Sequence, residues 1–264
     1  MQSPTAADKR KTFRELHESG FFVLPNPWDL GSLRRLEALG FPALASTSSG
    51  FAWSLGLEDQ QLSRDQVLQH LSVLAAATQL PVNADFENGY APTPEGVADN
   101  VRLAAATGVA GVSLEDFGDG AVYELAAASE RIAAARQALD ETDPNIVLVG
   151  RAEGFLYGAA DLDEIIARLV AYSQAGADCL YAPGVTEPVH IRAIVTAVAP
   201  KPVNVLLRGP RMNAASLAAL GVGRMSVGGL LAKAAWHGFD EAARALAEEG
   251  TLSAAQFRSE PQAQ

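Results

Sequence analysis

Short apolar runs alternate with longer segments of helical periodicity along almost the whole chain. The runs predict strands at residues 21–24, 42–45, 81–85, 110–115, 146–151, 179–182, 202–207 and 224–227. Gly40, Gly108, Gly176 and Gly221 each follow a predicted helix directly before a strand, as helix C-caps do. Eight strand–helix units in one chain of 264 residues predict an α/β fold, a (β/α)8 TIM-type barrel. A doubly wound open sheet is the alternative, but no Gly-x-Gly-x-x-Gly opens its first turn.

Charged residues stand where three of the predicted strands end. Asp85 and Glu87 close the third strand, Glu115 the fourth and Arg151 the fifth. Two acids at i and i+2 of a strand point the same way. Because the carboxyl ends of barrel strands form the functional face, we expect these side chains to meet there. A single such stretch is equally well explained by a strand that runs into a solvated loop, but the repetition favours a site.

Composition narrows the class of protein. The chain is 48% hydrophobic and 19% charged, with a net charge of −11, so phosphate repulsion disfavours a nucleic-acid partner. One cysteine, Cys179, excludes an internal disulfide and fits a reducing compartment. No signal-peptide pattern and no apolar run of membrane-spanning length is present. We expect a cytoplasmic protein without membrane contact.

The cluster of oxygen ligands suggests a metal site. Asp85, Glu87 and Glu115 offer only carboxylates, which suit a hard cation such as Mg2+ or Mn2+. Arg151 nearby suits the carboxylate of a substrate, or alternatively a network of ion pairs that closes the barrel top. The Gly-rich stretch 226–229 after the last strand predicts either a phosphate-binding turn or close helix packing.

The lysine and histidine residues that other types of barrel enzyme use are not found at the predicted functional face. No lysine stands at the carboxyl end of a predicted strand, so a Schiff-base aldolase is not expected. The histidines fall in or beside helical segments, which argues against a histidine-ligated zinc ion. These residues are Lys9, Lys11, Lys201 and Lys233, and His17, His70, His190 and His237.

Several short motifs along the chain resemble those of the isocitrate lyase/phosphoenolpyruvate mutase superfamily. The resemblance covers roughly residues 21–236. The pieces are specific in combination, although each piece alone is a weak signal. The matching pieces are Ser48-Ser49-Gly50, Leu55-Gly56-Leu57-Glu58-Asp59, Asp85-Phe86-Glu87-Asn88-Gly89-Tyr90, Leu114-Glu115-Asp116, Gly150-Arg151-Ala152-Glu153 and Pro202-Val203-Asn204-Val205-Leu206.

The resemblance implies a barrel, a Mg2+ ion and substrates that are 2-oxo acids or break down to them. It implies Asp85 as the direct metal ligand, with Glu87 and Glu115 acting through water. Arg151 matches the arginine at the 2-oxo acid end, and Glu115 and Tyr90 join it as candidate catalytic residues; Tyr123 is a second candidate hydroxyl. The implied substrate-binding residues are Ser48, Ser49, Gly50, Phe51, Asp59, Arg151 and Asn204.

One departure from the family pattern limits the reaction. The true lyases carry Lys-Lys-Cys-Gly-His after the fourth strand, whereas residues 116–122 here contain no Cys, Lys or His. We therefore predict a Mg2+-dependent enzyme that forms an enolate and cleaves a C–C bond, as a lyase or an oxaloacetate-type decarboxylase, rather than isocitrate lyase itself. The alternatives are C–P bond chemistry of the phosphonopyruvate type and a catalytically weak protein that binds 2-oxo acids.

The C-terminal part predicts an assembly. We expect residues 1–264 to form one barrel domain, in which about 230–264 make a helical extension with a long apolar face. Such a surface requires a partner. It either folds back over the same barrel or, as the resemblance implies, crosses to a neighbouring subunit in a homotetramer. A further short segment is predicted at 253–257.

Overall fold

The computed structural model describes residues 3–18 and 20–252. Eight parallel strands form one sheet in the order β1-β10-β9-β8-β7-β4-β3-β2. A backbone hydrogen bond from Ala45 to Pro25 links the two edges, so the sheet is a nearly closed barrel, as predicted. The strands are β1 (Phe22–Leu24), β2 (Leu44–Ala45), β3 (Val82–Asp85), β4 (Gly111–Glu115), β7 (Val147–Arg151), β8 (Cys179–Tyr181), β9 (Val203–Leu206) and β10 (Arg224–Ser226).

Helices cover the outside of the barrel and begin at residues that the sequence marks. Asp29, Ser63 and Thr93 each accept a hydrogen bond from the backbone N–H three residues on, and Pro94 fills the first helical position. The helices are α1 (Ala6–Glu18), α2 (Leu30–Ala38), α3 (Ser48–Ser54), α4 (Arg64–Ala77), α5 (Pro94–Ala106), α6 (Leu125–Thr142), α7 (Gly154–Tyr157), α8 (Leu162–Gln174), α9 (Pro188–Val198), α10 (Ala214–Ala219) and α11 (Leu230–Glu249).

The first helix closes the amino-terminal end of the barrel. Phe13 on α1 is fully buried among inward-facing residues of several strands. A Cβ built on Gly111 would lie 2.7 Å from the Phe13 ring, so this glycine admits the ring into the barrel. Above Phe13 a cavity opens toward the carboxyl ends of the strands.

The segment after β4 forms a small hairpin. Strands β5 (Phe117–Gly118) and β6 (Ala121–Val122) pair antiparallel. Asp119 and Gly120 between them have φ of 52° and 79°, as the favoured two-residue hairpin turns require. The signal was present in the sequence as Asp-Gly between short apolar pairs.

The last helix has little contact with its own barrel. Of the residues in α11, Ala232 is the buried one, while Trp236, Phe239 and Leu246 are exposed. Beyond its first turn, the described part of α11 therefore does not fold back over the barrel. The segment predicted at 253–257 lies outside the described residues. Within the described part of the chain, no helix is both long and apolar enough to cross a membrane.

Candidate active site

A cavity of about 340 Å3 opens at the carboxyl ends of the strands. Asp85, the last residue of β3, and Arg151, the last residue of β7, both line it. Parallel pairing brings these strand ends together, with Glu115 of β4 directly between them in register with Arg151. The predicted convergence of the strand-end charges is therefore present in the structure.

Asp85 is held in place by the segment that follows β2. The backbone N–H and the hydroxyl of Ser48 both donate to Asp85 Oδ2, each at 2.9 Å. The Asp85 backbone N–H donates in turn to Ser46 Oγ at 2.8 Å. These three contacts orient the carboxylate. Ser48, predicted to bind substrate, here positions the predicted metal ligand.

Arg151 is surrounded by carboxylates. Its Nε donates to Glu153, and its Nη1 lies 3.1 Å from Glu115 Oε2 and 3.4 Å from Asp85 Oδ1. The guanidinium also lies over the Tyr181 ring, 5.4 Å from its centroid. Nη2 forms no hydrogen bond with any described residue. The ion-pair network thus exists, and it still leaves one end of the fork available to a ligand.

Burial raises the pKa values of the carboxyl groups that contact this arginine from behind the cavity wall. Burial raises the pKa of Glu115 well above its usual range, and Glu153, Asp85 and Glu87 nearby add to the shift, although Arg151 opposes it. Burial likewise raises the pKa of Glu153. Glu153 is fixed from below, because its backbone N–H donates to Asp116 Oδ1 at 2.7 Å.

Glu87 and Tyr90 do not line the cavity, because both side chains lie behind its wall. Both have positive φ, 43° and 55°, on either side of the Asn88-Gly89 turn. The two side chains are close enough to influence each other, yet neither Glu87 Oε1 nor the Tyr90 hydroxyl makes a hydrogen bond of standard geometry. Burial, reinforced by Asp85, raises the pKa of Glu87 to about 7, and burial also raises the pKa of Tyr90.

The donor set fits a hydrated hard cation. Among the described residues, no three His, Cys, Asp or Glu side chains converge closely enough to ligate one ion by themselves. Asp85 nevertheless presents a carboxylate to the cavity, and Glu87 Oε1 is a buried oxygen that lacks a donor. Mg2+ keeps several of its waters, so one direct carboxylate with others acting through water is a normal site. Asp85, with Glu87 and Glu115 behind it, could hold such an ion.

The structure divides the predicted substrate-binding residues. Ser48, Ser49, Asp59 and Asn204 line the cavity with Arg151. Gly50 and Phe51 do not, because residues 48–54 form helix α3, which the sequence did not predict. That helix directs Phe51 outward to stack on His70, with ring centroids 3.8 Å apart.

The Gly-rich turn after β10 does not present a free phosphate cradle. The backbone N–H groups of Val227 and Gly228 both donate to Asn26 Oδ1 at 2.9 Å. A Cβ on Gly229 would lie 2.7 Å from the Trp53 ring. The glycines therefore serve close packing, which was the second of the two interpretations.

Three further cationic side chains line the cavity, and two of them could not be identified from the sequence. Lys233 lies on α11, three residues inside the helix, and its ammonium stands 5.1 Å from the Trp53 ring centroid. Arg224 begins β10 and Arg208 follows β9, and both line the cavity. Only the strand-end position of Arg208 gave a signal, since Arg224 and Lys233 read as ordinary strand and helix residues.

Comparison with known proteins gives a consistent relationship. The profile of the phosphoenolpyruvate phosphomutase family matches residues 13–247. An uncharacterized protein of Mycobacterium tuberculosis (strain ATCC 25618 / H37Rv) is 33% identical over 239 residues, 90% of this chain and 89% of that protein. An oxaloacetate decarboxylase of Rhodopseudomonas palustris (strain ATCC BAA-98 / CGA009) is 31% identical over 204 residues, 72% of this chain and 68% of that protein. A crystal structure from Burkholderia cenocepacia J2315, provisionally assigned as a lyase/mutase, matches with a TM-score of 0.93 at 45% identity and covers 97% of this chain and 94% of that one.

Proposed function

Since this chain belongs to the phosphoenolpyruvate mutase/isocitrate lyase superfamily, we propose that it is a Mg2+-dependent carbon–carbon lyase acting on 2-oxo or 2-hydroxy acids. One observation carries the proposal. Asp85, a candidate ligand of a hard cation, and Arg151, with a free Nη2, line the same cavity at the carboxyl ends of the strands. This pairing of a cation ligand with a guanidinium suits an acid whose reaction places negative charge on the 2-oxo oxygen.

In this reaction Arg151 binds the substrate and stabilises the negative charge that develops on it. Its Nη2 donates to a carboxylate or 2-oxo oxygen of the substrate, while Glu153 and Glu115 fix the other side of the fork. When a C–C bond breaks beside the 2-oxo group, its electron pair moves toward that oxygen and forms an enolate. A donor already held in position stabilises the charge without reorganisation. For an oxaloacetate-type substrate the leaving group is CO2.

The remaining site residues position these groups. Ser48 orients Asp85, and Tyr90 packs beside Glu87 behind the wall, which makes Tyr90 a positioning residue rather than a group that reaches the substrate. A bound Mg2+ would supply further stabilisation of negative charge, with Asp85 as its direct ligand and Glu87 and Glu115 acting through water. The hairpin β5–β6, which lacks Cys, Lys and His, supplies no proton donor of the kind found in the true lyases.

A substrate panel tests the proposal. Oxaloacetate and a series of 2-oxo and 2-hydroxy acids are incubated with the protein and Mg2+, and pyruvate, glyoxylate and CO2 are measured. We expect metal-dependent turnover of at least one acid, its loss in EDTA, and its loss in Asp85→Asn. Asp99→Asn, an exposed surface control, should keep full activity. Full activity in EDTA or in Asp85→Asn would defeat the proposal.

Metal binding has a readout that does not need activity. Burial raises the pKa of Glu87 to about 7, so this acid is partly protonated near neutral pH, and calorimetry in two buffers should register proton release on Mg2+ binding. Asp85→Asn should abolish this signal. Adding phosphonopyruvate to the panel, with phosphate as a further readout, decides the alternatives. Release of phosphate favours C–P chemistry, and tight binding of an acid without turnover favours a binding protein.

A further inference from the structure

The cavity continues below the strand ends into the barrel. Its lining includes Ala45 of β2, Ser113 of β4 and Ser226 of β10, all small residues. Interiors of such barrels are usually filled by bulky branched side chains. Small side chains at these positions leave space inside the barrel below the strand ends, as part of the cavity of about 340 Å3.

Arg224 lies at the lower part of this lining. It is 2% exposed, and its Nε donates to Asn204 Oδ1 at 3.0 Å while its Nη1 donates to His17 Nε2 at 3.0 Å. The His17 ring is neutral in this arrangement, because Nδ1 donates to the Phe13 carbonyl at 2.7 Å and Nε2 accepts. Both partners of the arginine are therefore uncharged.

The buried charge of Arg224 has no protein counter-ion. No Asp or Glu of the described residues lies within ion-pair distance of it, in contrast to Arg151, which contacts three carboxylates. A guanidinium has five N–H donors, and the protein engages two of these. A buried cation without a partner is costly, so an anion from outside would relieve the site.

The charge of the whole lining points the same way. Four cationic side chains line the cavity, against two carboxylates, in a protein whose net charge is −11. The cations are Arg151, Arg208, Arg224 and Lys233, and the carboxylates are Asp59 and Asp85. Glu115 and Glu153 offset the charge of Arg151 from behind the wall, which leaves Arg208, Arg224 and Lys233 without an ion pair among the described residues. These cations favour a ligand with more than one negative charge.

We propose that Arg224 forms a second anion subsite inside the barrel, which binds the distal carboxylate of a dicarboxylic acid while its 2-oxo or 2-hydroxy end meets Asp85 and Arg151. The placement of the reacting end rests on the proposed function, whereas the subsite itself rests on the cavity and on the unpaired guanidinium. Asn204 holds the arginine in position through its Oδ1 and is itself fixed by its Nδ2 donating to Ser226 Oγ at 2.9 Å.

A matched pair of ligands tests this subsite. Malate and 2-hydroxybutyrate have the same chain length and differ only in a terminal carboxylate or methyl group. Isothermal titration with Mg2+ present should show wild-type protein binding malate about ten- to a hundredfold more tightly, as a charged hydrogen bond at that end implies. Arg224→Gln should lose this preference and keep its affinity for 2-hydroxybutyrate.

Arg208→Gln is the control, because Arg208 is an exposed arginine of the same cavity. It should retain the preference for malate. If Arg224→Gln does not fold, Arg224→Lys keeps the charge without the planar fork and should weaken malate binding alone. Equal binding of the two acids by wild type, equal losses for both in the Arg224 variants, or loss of the preference in Arg208→Gln instead would each overturn the subsite.

The two proposals fail separately. Absence of metal-dependent turnover across the substrate panel removes the lyase function and leaves the ligand preference measurable, since titration needs no reaction. A working enzyme that does not distinguish malate from 2-hydroxybutyrate keeps its function and loses the Arg224 subsite.

Discussion

Replacing Asp116 by Asn should destabilise the protein strongly, although the two side chains have the same shape. Asp116 is 3% exposed and accepts three hydrogen bonds with two oxygens. Oδ1 accepts from the Glu153 backbone at 2.7 Å, and Oδ2 accepts from Arg168 Nη1 at 3.2 Å and from the Tyr172 hydroxyl at 2.5 Å. An amide has one acceptor oxygen, so either orientation of Asn places its NH2 group against a donor.

The size of the effect follows from the burial of the pair. Arg168 has a side chain 8% exposed, and its ion pair with Asp116 is therefore largely out of water. Removing one partner of a buried pair costs about 3–5 kcal/mol. For a chain of this length about 1 kcal/mol corresponds to roughly 2–4 °C in Tm, so we expect Tm to fall by roughly 6–20 °C. Thermal unfolding followed by circular dichroism, with urea titration at 25 °C, measures the loss.

Two further variants separate the contributions. Tyr172→Phe removes a single hydrogen bond, worth about 0.5–1.5 kcal/mol, and should give an intermediate Tm. Asp99→Asn breaks an exposed pair with Arg102 and should change Tm little, since water screens such pairs. Because Asp116 holds Glu153, which contacts Arg151, catalytic efficiency should fall as well. A Tm for Asp116→Asn equal to that of Asp99→Asn would refute the assignment of this network as a structural support.

Three other outcomes follow from particular contacts. Arg151→Lys should weaken 2-oxo acid binding by about tenfold or more in calorimetry, because the planar fork that serves Glu153 and the ligand together is lost; equal affinity would make Arg151 purely structural. Burial lowers the pKa of His17 to about 3 from its usual 6.5. The neutral ring therefore contributes its full stability above about pH 6.5, and this stability is lost as the pH falls toward 3. The free energy of unfolding in urea should depend less on acid pH in His17→Gln, and an unchanged pH profile would contradict this. We expect a homotetramer in light scattering and smaller species for Phe239→Glu on the exposed face of α11, with Val189→Glu as the exposed control; a wild-type monomer near 27.7 kDa would end this interpretation.

The amino-acid sequence by itself determined the barrel and the end of the barrel that carries the chemistry. Strand and helix periodicity are properties of neighbouring residues, so the alternation and the glycines that end the helices could be recognised in the sequence. For the same reason Asp85, Glu115 and Arg151 could be placed together, since the carboxyl ends of parallel strands always meet. The Asp119-Gly120 turn was equally local, and it would have predicted the hairpin.

Tertiary structure alone decided which residues face the cavity. Helix α3, which the sequence did not predict, directs Phe51 toward His70 and places Ser48 where its hydroxyl orients Asp85. Arg224 and Lys233 reach the cavity from the first residue of a strand and from a helix face, positions without a sequence signal. Their roles depend on partners distant along the chain, such as His17 for Arg224, 207 residues away, and only closure of the barrel brings such pairs together.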